Sequence, residues 1–225
     1  MVGDERVSEA LEVMAEIESA SYRTILDSGA FSFMKKRERL GIKGVTWEFM
    51  TEYVSGIQKY IQDGRNIYIT PAVFEEQKRR ILGFPEGQPF ASAISQLLID
   101  MKTFERIITA PIIPEYEQIE IVLAEAGKDQ ELSPSDYEVW STALCTGMKY
   151  QQPVALLTDD GGIACAHAIV QERSPSTIQY TTLYDRSCGG AFGTPFMKLT
   201  RERLIEKMVE RPKGRRESAH GTQIY

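Results

Sequence analysis

Short apolar runs alternate along this chain with longer stretches in which apolar residues return every three or four positions. Ala10, Leu11, Met14 and Ile17 recur in this way within 8–22, with acids between them, and predict an amphipathic helix. Trp47, Met50, Val54, Ile57 and Ile61 repeat the pattern over 46–61, and Asp63-Gly64 closes it. A long helix is expected over 90–108, and Pro114 opens another that runs through Leu123 and stops before Gly127. Thr24-Ile25-Leu26-Asp27, Asn66-Ile67-Tyr68-Ile69 and Pro153-Val154-Ala155-Leu156-Leu157 are too short for helices and read as buried strands. The stretch 177–183, rich in Thr, Tyr and Ile, predicts a last strand.

Cap chemistry sharpens the boundaries. Thr70-Pro71 and Ser133-Pro134 each place a hydroxyl N-cap before a proline at the first helical position. Glu75 and Glu76 then fall in the second turn of one helix, and Asp136 at the third position of the other. Asp159-Asp160-Gly161-Gly162 reads as a turn into a helix over 163–170, 187–195 as a loop, and 200–210 as a basic helix. Strands alternating with helices over 225 residues predict one α/β domain around a mostly parallel sheet. The helical stretch at about 84–127 reads as an insertion that could form a lid or cap, and 198–225 as a basic C-terminal extension.

Composition narrows the chemistry. With 42% apolar and 26% charged residues the chain looks like an ordinary soluble domain. No apolar run is long enough to span a bilayer, and the opening Met1-Val2-Gly3-Asp4-Glu5-Arg6 has no signal-peptide core, so a cytoplasmic protein without a membrane partner is expected. Cys145, Cys165 and Cys188 lack the paired spacing of a zinc or redox motif, and His167 and His220 have no nearby partner in sequence. Catalysis would therefore rest mainly on carboxylates. Although the net charge is -6, 198–216 holds eight basic residues against three acidic ones, as an arm that grips phosphates would.

Four acids stand where such chemistry would need them: Asp27, Glu76, Asp136 and Asp160. Asp27 and Asp160 follow buried strands and so emerge at the carboxyl edge of the sheet, where open α/β folds build their sites. Carboxylates gathered in one place repel one another unless a cation neutralises them, and a hard cation such as Mg²⁺ or Mn²⁺ takes oxygen ligands. Plainer roles stay open for each. Asp27 suits a strand-end turn, Asp136 a capping box, and Asp159 or Asp160 an N-cap. Glu75 and Glu76 also suit an exposed face paired with Lys78-Arg79-Arg80.

In their order these motifs resemble the PIN domain family of metal-dependent ribonucleases. An Asp ends the first strand before small residues in Leu26-Asp27-Ser28-Gly29-Ala30, and Val-x-x-Glu opens a helix in Val73-Phe74-Glu75-Glu76. A third acid begins an Ala-containing helix in Leu132-Ser133-Pro134-Ser135-Asp136, and an apolar strand leads to Thr-x-Asp in Leu157-Thr158-Asp159-Asp160. The motif spacing favours Glu76 over Glu75 and Asp160 over Asp159. Two departures are the longer intervals flanking Glu76 and Gln77 in place of the family's usual Leu.

The resemblance implies a three-layer α/β/α sandwich, Mg²⁺ or Mn²⁺ at Asp27, Glu76, Asp136 and Asp160, and endonucleolytic cleavage of RNA in processing, decay or as a toxin. It also implies partners: RNA, a second copy in a homodimer, and an antitoxin-like protein. Lys35, Lys36, Arg37, Arg201, Lys207 and Arg211 are the cations expected to hold the RNA backbone. The alternative is a catalytically inactive PIN-like module that binds RNA or protein. A phosphotransfer or receiver domain with Asp27 as nucleophile fits less well, because no second acid adjoins Asp27 and no suitable Lys follows a late strand.

Overall fold

The computed structural model describes residues 2–31, 47–85, 87–114, 116–186 and 196–210. Its sheet contains β1 (Arg23–Leu26), β2 (Ile67–Tyr68), β3 (Val154–Thr158), β4 (Thr181–Arg186) and β5 (Phe196–Lys198) in the spatial order β2-β1-β3-β4-β5. The first four strands run parallel, and β5 adds an antiparallel edge. Every residue of β3 is buried, as expected of a strand covered on both faces. Removing one of its large side chains, as in Leu156→Ala, would cost about 3 kcal/mol.

Helices cover the sheet in two groups. α1 (Val2–Ser19) packs on α3 (Trp47–Gln62), which packs on α5 (Pro89–Thr103). The second group is α6 (Tyr116–Asp129), α7 (Pro134–Tyr150), α8 (Gly161–Arg173), the short α9 (Pro175–Ile178) and α10 (Arg201–Glu210). Within it α7 packs on β1, β3 and β4, and α8 on α6 and α10. Two short links complete the frame at the carboxyl edge: α2 (Ser28–Phe31), and α4 (Pro71–Ile81), which touches α2, α5 and α7. This is the expected three-layer α/β/α arrangement around a mostly parallel sheet.

Several boundaries differ from the sequence expectation, each for a local reason. The helix expected over 90–108 ends at Thr103, because Glu105 takes a left-handed φ of 55° and the β-branched residues after it extend. Ile107 then bridges Ile69 in parallel, adding a residue pair beside β2. The helix expected to stop before Gly127 continues to Asp129. Gly127 lies inside it, facing the ring of Tyr137, where an added Cβ would come within 3.1 Å. Pro175 starts a helical turn that runs into the strand expected over 177–183, so β4 begins only at Thr181. The strand β5 was not expected from the sequence.

The helical stretch 84–127 is tied into the core through α5. Phe90, Ile94, Leu97 and Met101 are buried there, and the buried Asp100 accepts from the amides of Gln58, Gln62 and Gln96 at 2.8, 2.7 and 3.1 Å. Those bonds tie α3 to α5 and satisfy a carboxylate that burial would otherwise penalise. Among the described residues, no helix is long and apolar enough to cross a membrane.

Candidate metal centre

Parallel pairing of Leu26 with Leu157 sets Asp27 beside Thr158, at the carboxyl ends of β1 and β3. Asp27 is only 3% exposed. Thr158 Oγ1 donates to its Oδ2 at 2.8 Å, and the Ser28 N–H donates to its Oδ1 at 2.6 Å. Burial pushes the Asp27 carboxyl up to about 7. The two hydrogen bonds oppose that rise, and the charges of Asp136 and Asp159 add to it.

Asp136 is brought to the same edge by α7. It sits in a capping box: its N–H donates to Ser133 Oγ at 3.2 Å, and Ser133 N–H donates back to Oδ2 at 3.3 Å. Partial burial raises its carboxyl above the ordinary range against the Ser133 hydrogen bond, and the charges of Asp160 and Glu76 push it further. Asp160 is the N-cap of α8. Its Oδ1 accepts from Gly162 N–H at 2.5 Å and Ile163 N–H at 3.2 Å, so both glycines fall at the helix start, where the sequence suggested a separate turn.

The two glutamates of α4 divide as their spacing demands. The side chain of Glu75 is 55% exposed and pairs with Lys78 at 3.2 Å, whereas that of Glu76 is 24% exposed. Glu76 pairs with Arg80 at 2.5 Å and is the one whose charge reaches Asp136. Asp159 and Asp160 also divide. Asp160 spends an oxygen on its cap and acts on Asp136, while Asp159 lies over Gly29 and acts on Asp27. A Cβ at Gly29 would overlap Oδ1 of Asp159, so the small residue after Asp27 makes room for this second carboxylate.

Five acids from four chain segments thus converge electrostatically at one edge. Two of the plainer roles are also real, since Asp136 and Asp160 both cap helices. Among the described residues, no three His, Cys, Asp or Glu side chains are grouped so as to hold a metal ion. The donor chemistry nevertheless suits a hard cation held by one or two carboxylates, with water completing its shell, as Mg²⁺ is commonly bound.

Supporting residues complete the site. Thr158 belongs to the Thr-x-Asp motif, yet its hydrogen bond to Asp27 depends on strand register. Gln77 is fully buried and donates from Nε2 to the Ser28 carbonyl at 3.3 Å, bracing the turn after Asp27. Its place in the polar run Glu75-Glu76-Gln77-Lys78 gives no sign of burial. Glu138 accepts from the Ala72 N–H at 3.0 Å and joins α7 to the start of α4.

Of the cations expected to hold RNA, Arg201 is exposed on α10 and Lys207 lies on the same helix, which packs along α8. Lys35, Lys36, Arg37 and Arg211 lie outside the described residues, as do Cys188, His220 and the loop expected over 187–195. Cys145 and Cys165 are both buried. His167 is buried, with Trp140 Nε1 at 3.5 Å from its Nδ1, and burial lowers its pKa to about 4. No family model matches this chain, and neither a curated protein nor a solved structure matches it.

Proposed function

We propose that this chain is a Mg²⁺- or Mn²⁺-dependent endoribonuclease of the PIN type, acting in RNA processing, decay or as a toxin. The observation that carries the proposal is Asp27: a buried carboxyl at the sheet's carboxyl edge, poised near neutrality and pressed by the charges of Asp136 and Asp159. Charge gathered at such cost is offset by a divalent cation, which shifts the local balance toward ionised carboxylates. Asp27 would hold the cation with Asp136 or Asp159, while Glu76 and Asp160 complete the negative field. A bound cation supplies an acidified water and polarises a phosphodiester oxygen.

The protein's own contribution is orientation. Thr158 and the Ser28 N–H fix the Asp27 carboxyl, Gln77 braces the turn that carries Ser28, and Gly29 leaves space for Asp159. Arg201 and Lys207 on α10, with Lys35, Lys36, Arg37 and Arg211, would grip the RNA backbone in a salt-dependent way. A cytoplasmic location, a homodimer and an antitoxin-like partner belong to the same proposal.

Incubating the purified protein with structured and single-stranded RNA, with Mn²⁺ or with chelator, tests it. The expected result is internal cleavage that requires Mn²⁺ and disappears in Asp27→Asn. Cleavage that persists in chelator or in the variant would overturn it. The capped state of Asp136 and Asp160 favours one second reading, an inactive module of the same architecture. That module would bind RNA or protein equally well with chelator present and with Asp27 replaced.

A further inference from the structure

At the opposite end of β1 from Asp27, a guanidinium is enclosed by aromatic rings. Arg23 is the first residue of that strand, so about 13 Å of extended chain separates it from Asp27. Its Cζ lies 5.2 Å from the ring centroid of Tyr22, 5.0 Å from that of Tyr68 and 5.1 Å from that of Tyr150. The rings of Tyr22 and Tyr150 are themselves 5.2 Å apart and tilted by 49°. A second guanidinium, that of Arg106, stands 5.1 Å from the Tyr68 centroid and donates to the Tyr68 hydroxyl at 2.8 Å. Lys149 sits 6.0 Å from the Tyr150 ring.

The charge balance of this cluster is unusual for a chain of net charge -6. Glu18 is already engaged, by Arg65 at 3.1 Å and by the Asn66 N–H at 2.9 Å. Among the described residues, the Arg23 guanidinium has neither a hydrogen bond nor a carboxylate partner, although the residue is only half-buried. Three ring centroids lie about 5 Å from its Cζ while its five N–H donors stay unspent. Ring contacts restrain such a side chain before any ligand arrives, and a pre-oriented guanidinium fork matches the paired oxygens of a phosphate. Tyr150, exposed at the end of α7, and the half-buried Tyr22 offer ring surface beside it.

We propose that Arg23, Lys149 and the rings of Tyr22 and Tyr150 form a binding patch for an unpaired nucleic-acid strand on the amino edge of the sheet. Fixed cations with interleaved aromatic rings suit a strand whose phosphates meet charge while its bases stack. An acidic peptide would use the cations but leave the rings without a role. The patch needs no metal and lies on the edge away from the carboxylates, so its occupancy is independent of cleavage.

Fluorescence anisotropy of the full chain in chelator, with short labelled oligouridylate and oligothymidylate as probes, provides the test and separates RNA from DNA. Arg23→Gln should weaken binding about tenfold and flatten the log–log salt dependence by about 0.7. Tyr150→Ala should weaken binding about tenfold as well, at an exposed position where the rings of Tyr22 and Tyr68 still flank Arg23. Lys128→Ala, the same charge change on α6, should leave binding at the wild-type level. The proposal is overturned if Arg23→Gln and Tyr150→Ala bind both probes as the wild type does, whether or not they melt lower. It is equally overturned if an unlabelled oligoglutamate displaces the probes as well as unlabelled oligouridylate does.

Discussion

Thr158 Oγ1 donates to Oδ2 of Asp27 at 2.8 Å, and that hydroxyl oxygen of Thr158 accepts from the Asp160 N–H at 2.9 Å. One hydroxyl therefore fixes the buried acid and the turn that carries Asp159 and Asp160. Replacing it with Val keeps the shape but removes a bond that favours the charged carboxylate. Thr158→Val should raise the Asp27 titration by about one pH unit above its position near 7, followed by carboxyl-carbon NMR. An unchanged titration would show that the hydroxyl does not stabilise the ionised acid.

Asp27 makes folding stability depend on pH in a definite direction. Its folded pKa, about 7, lies above the ordinary 3.8, so the folded state binds this proton more tightly than the unfolded chain does. That preference supports stability fully below the unfolded value and is lost as pH rises through 7. The difference corresponds to at most about 4 kcal/mol. Asp27→Asn should therefore melt above the wild type at pH 8, with the gap closing as pH falls toward 4. Melting temperatures that run parallel across this range would contradict the burial cost.

Gly29→Ala tests the space reserved for Asp159. The added methyl would overlap the end of a side chain that can swing aside, so the fold should survive with a loss of about 1 kcal/mol. Mn²⁺ should raise the wild-type melting temperature at pH 8 and raise that of Gly29→Ala less. Equal Mn²⁺ shifts in both proteins would remove Asp159 from the proposed cation site.

His167 gives the opposite pH response. Burial lowers its pKa from 6.5 to about 4, so the folded state disfavours its charged form. Stability held above pH 6.5 is lost as pH falls toward 4, by up to about 3 kcal/mol. Denaturant titrations should show His167→Gln losing less stability than the wild type over that interval. A variant as acid-sensitive as the wild type would place the loss elsewhere.

Local chemistry made much of the architecture legible from the residues. The 3.6-residue apolar period over α3, the Thr70-Pro71 and Ser133-Pro134 caps and the unbroken apolar run of β3 act within a few residues of themselves, so they survive translation into structure. Boundaries set by distant packing were less legible. Gly127 ends no helix because it faces Tyr137, and β5 is a strand because β4 offers it an edge.

Strand runs and caps are local, so the order of residues alone places acids at strand ends and helix starts. It also marked Glu76 above Glu75 through motif spacing. Long-range packing sets which acids press on which: Asp159 and Asp136 on Asp27, Asp160 and Glu76 on Asp136. It likewise buried Gln77 within a polar run and enclosed Arg23 among three tyrosines from separate segments. Proton affinity and ring contact depend on desolvation and on distances through space, and both are fixed by the register of β1 against β3 and the packing of α4 and α7 at its end.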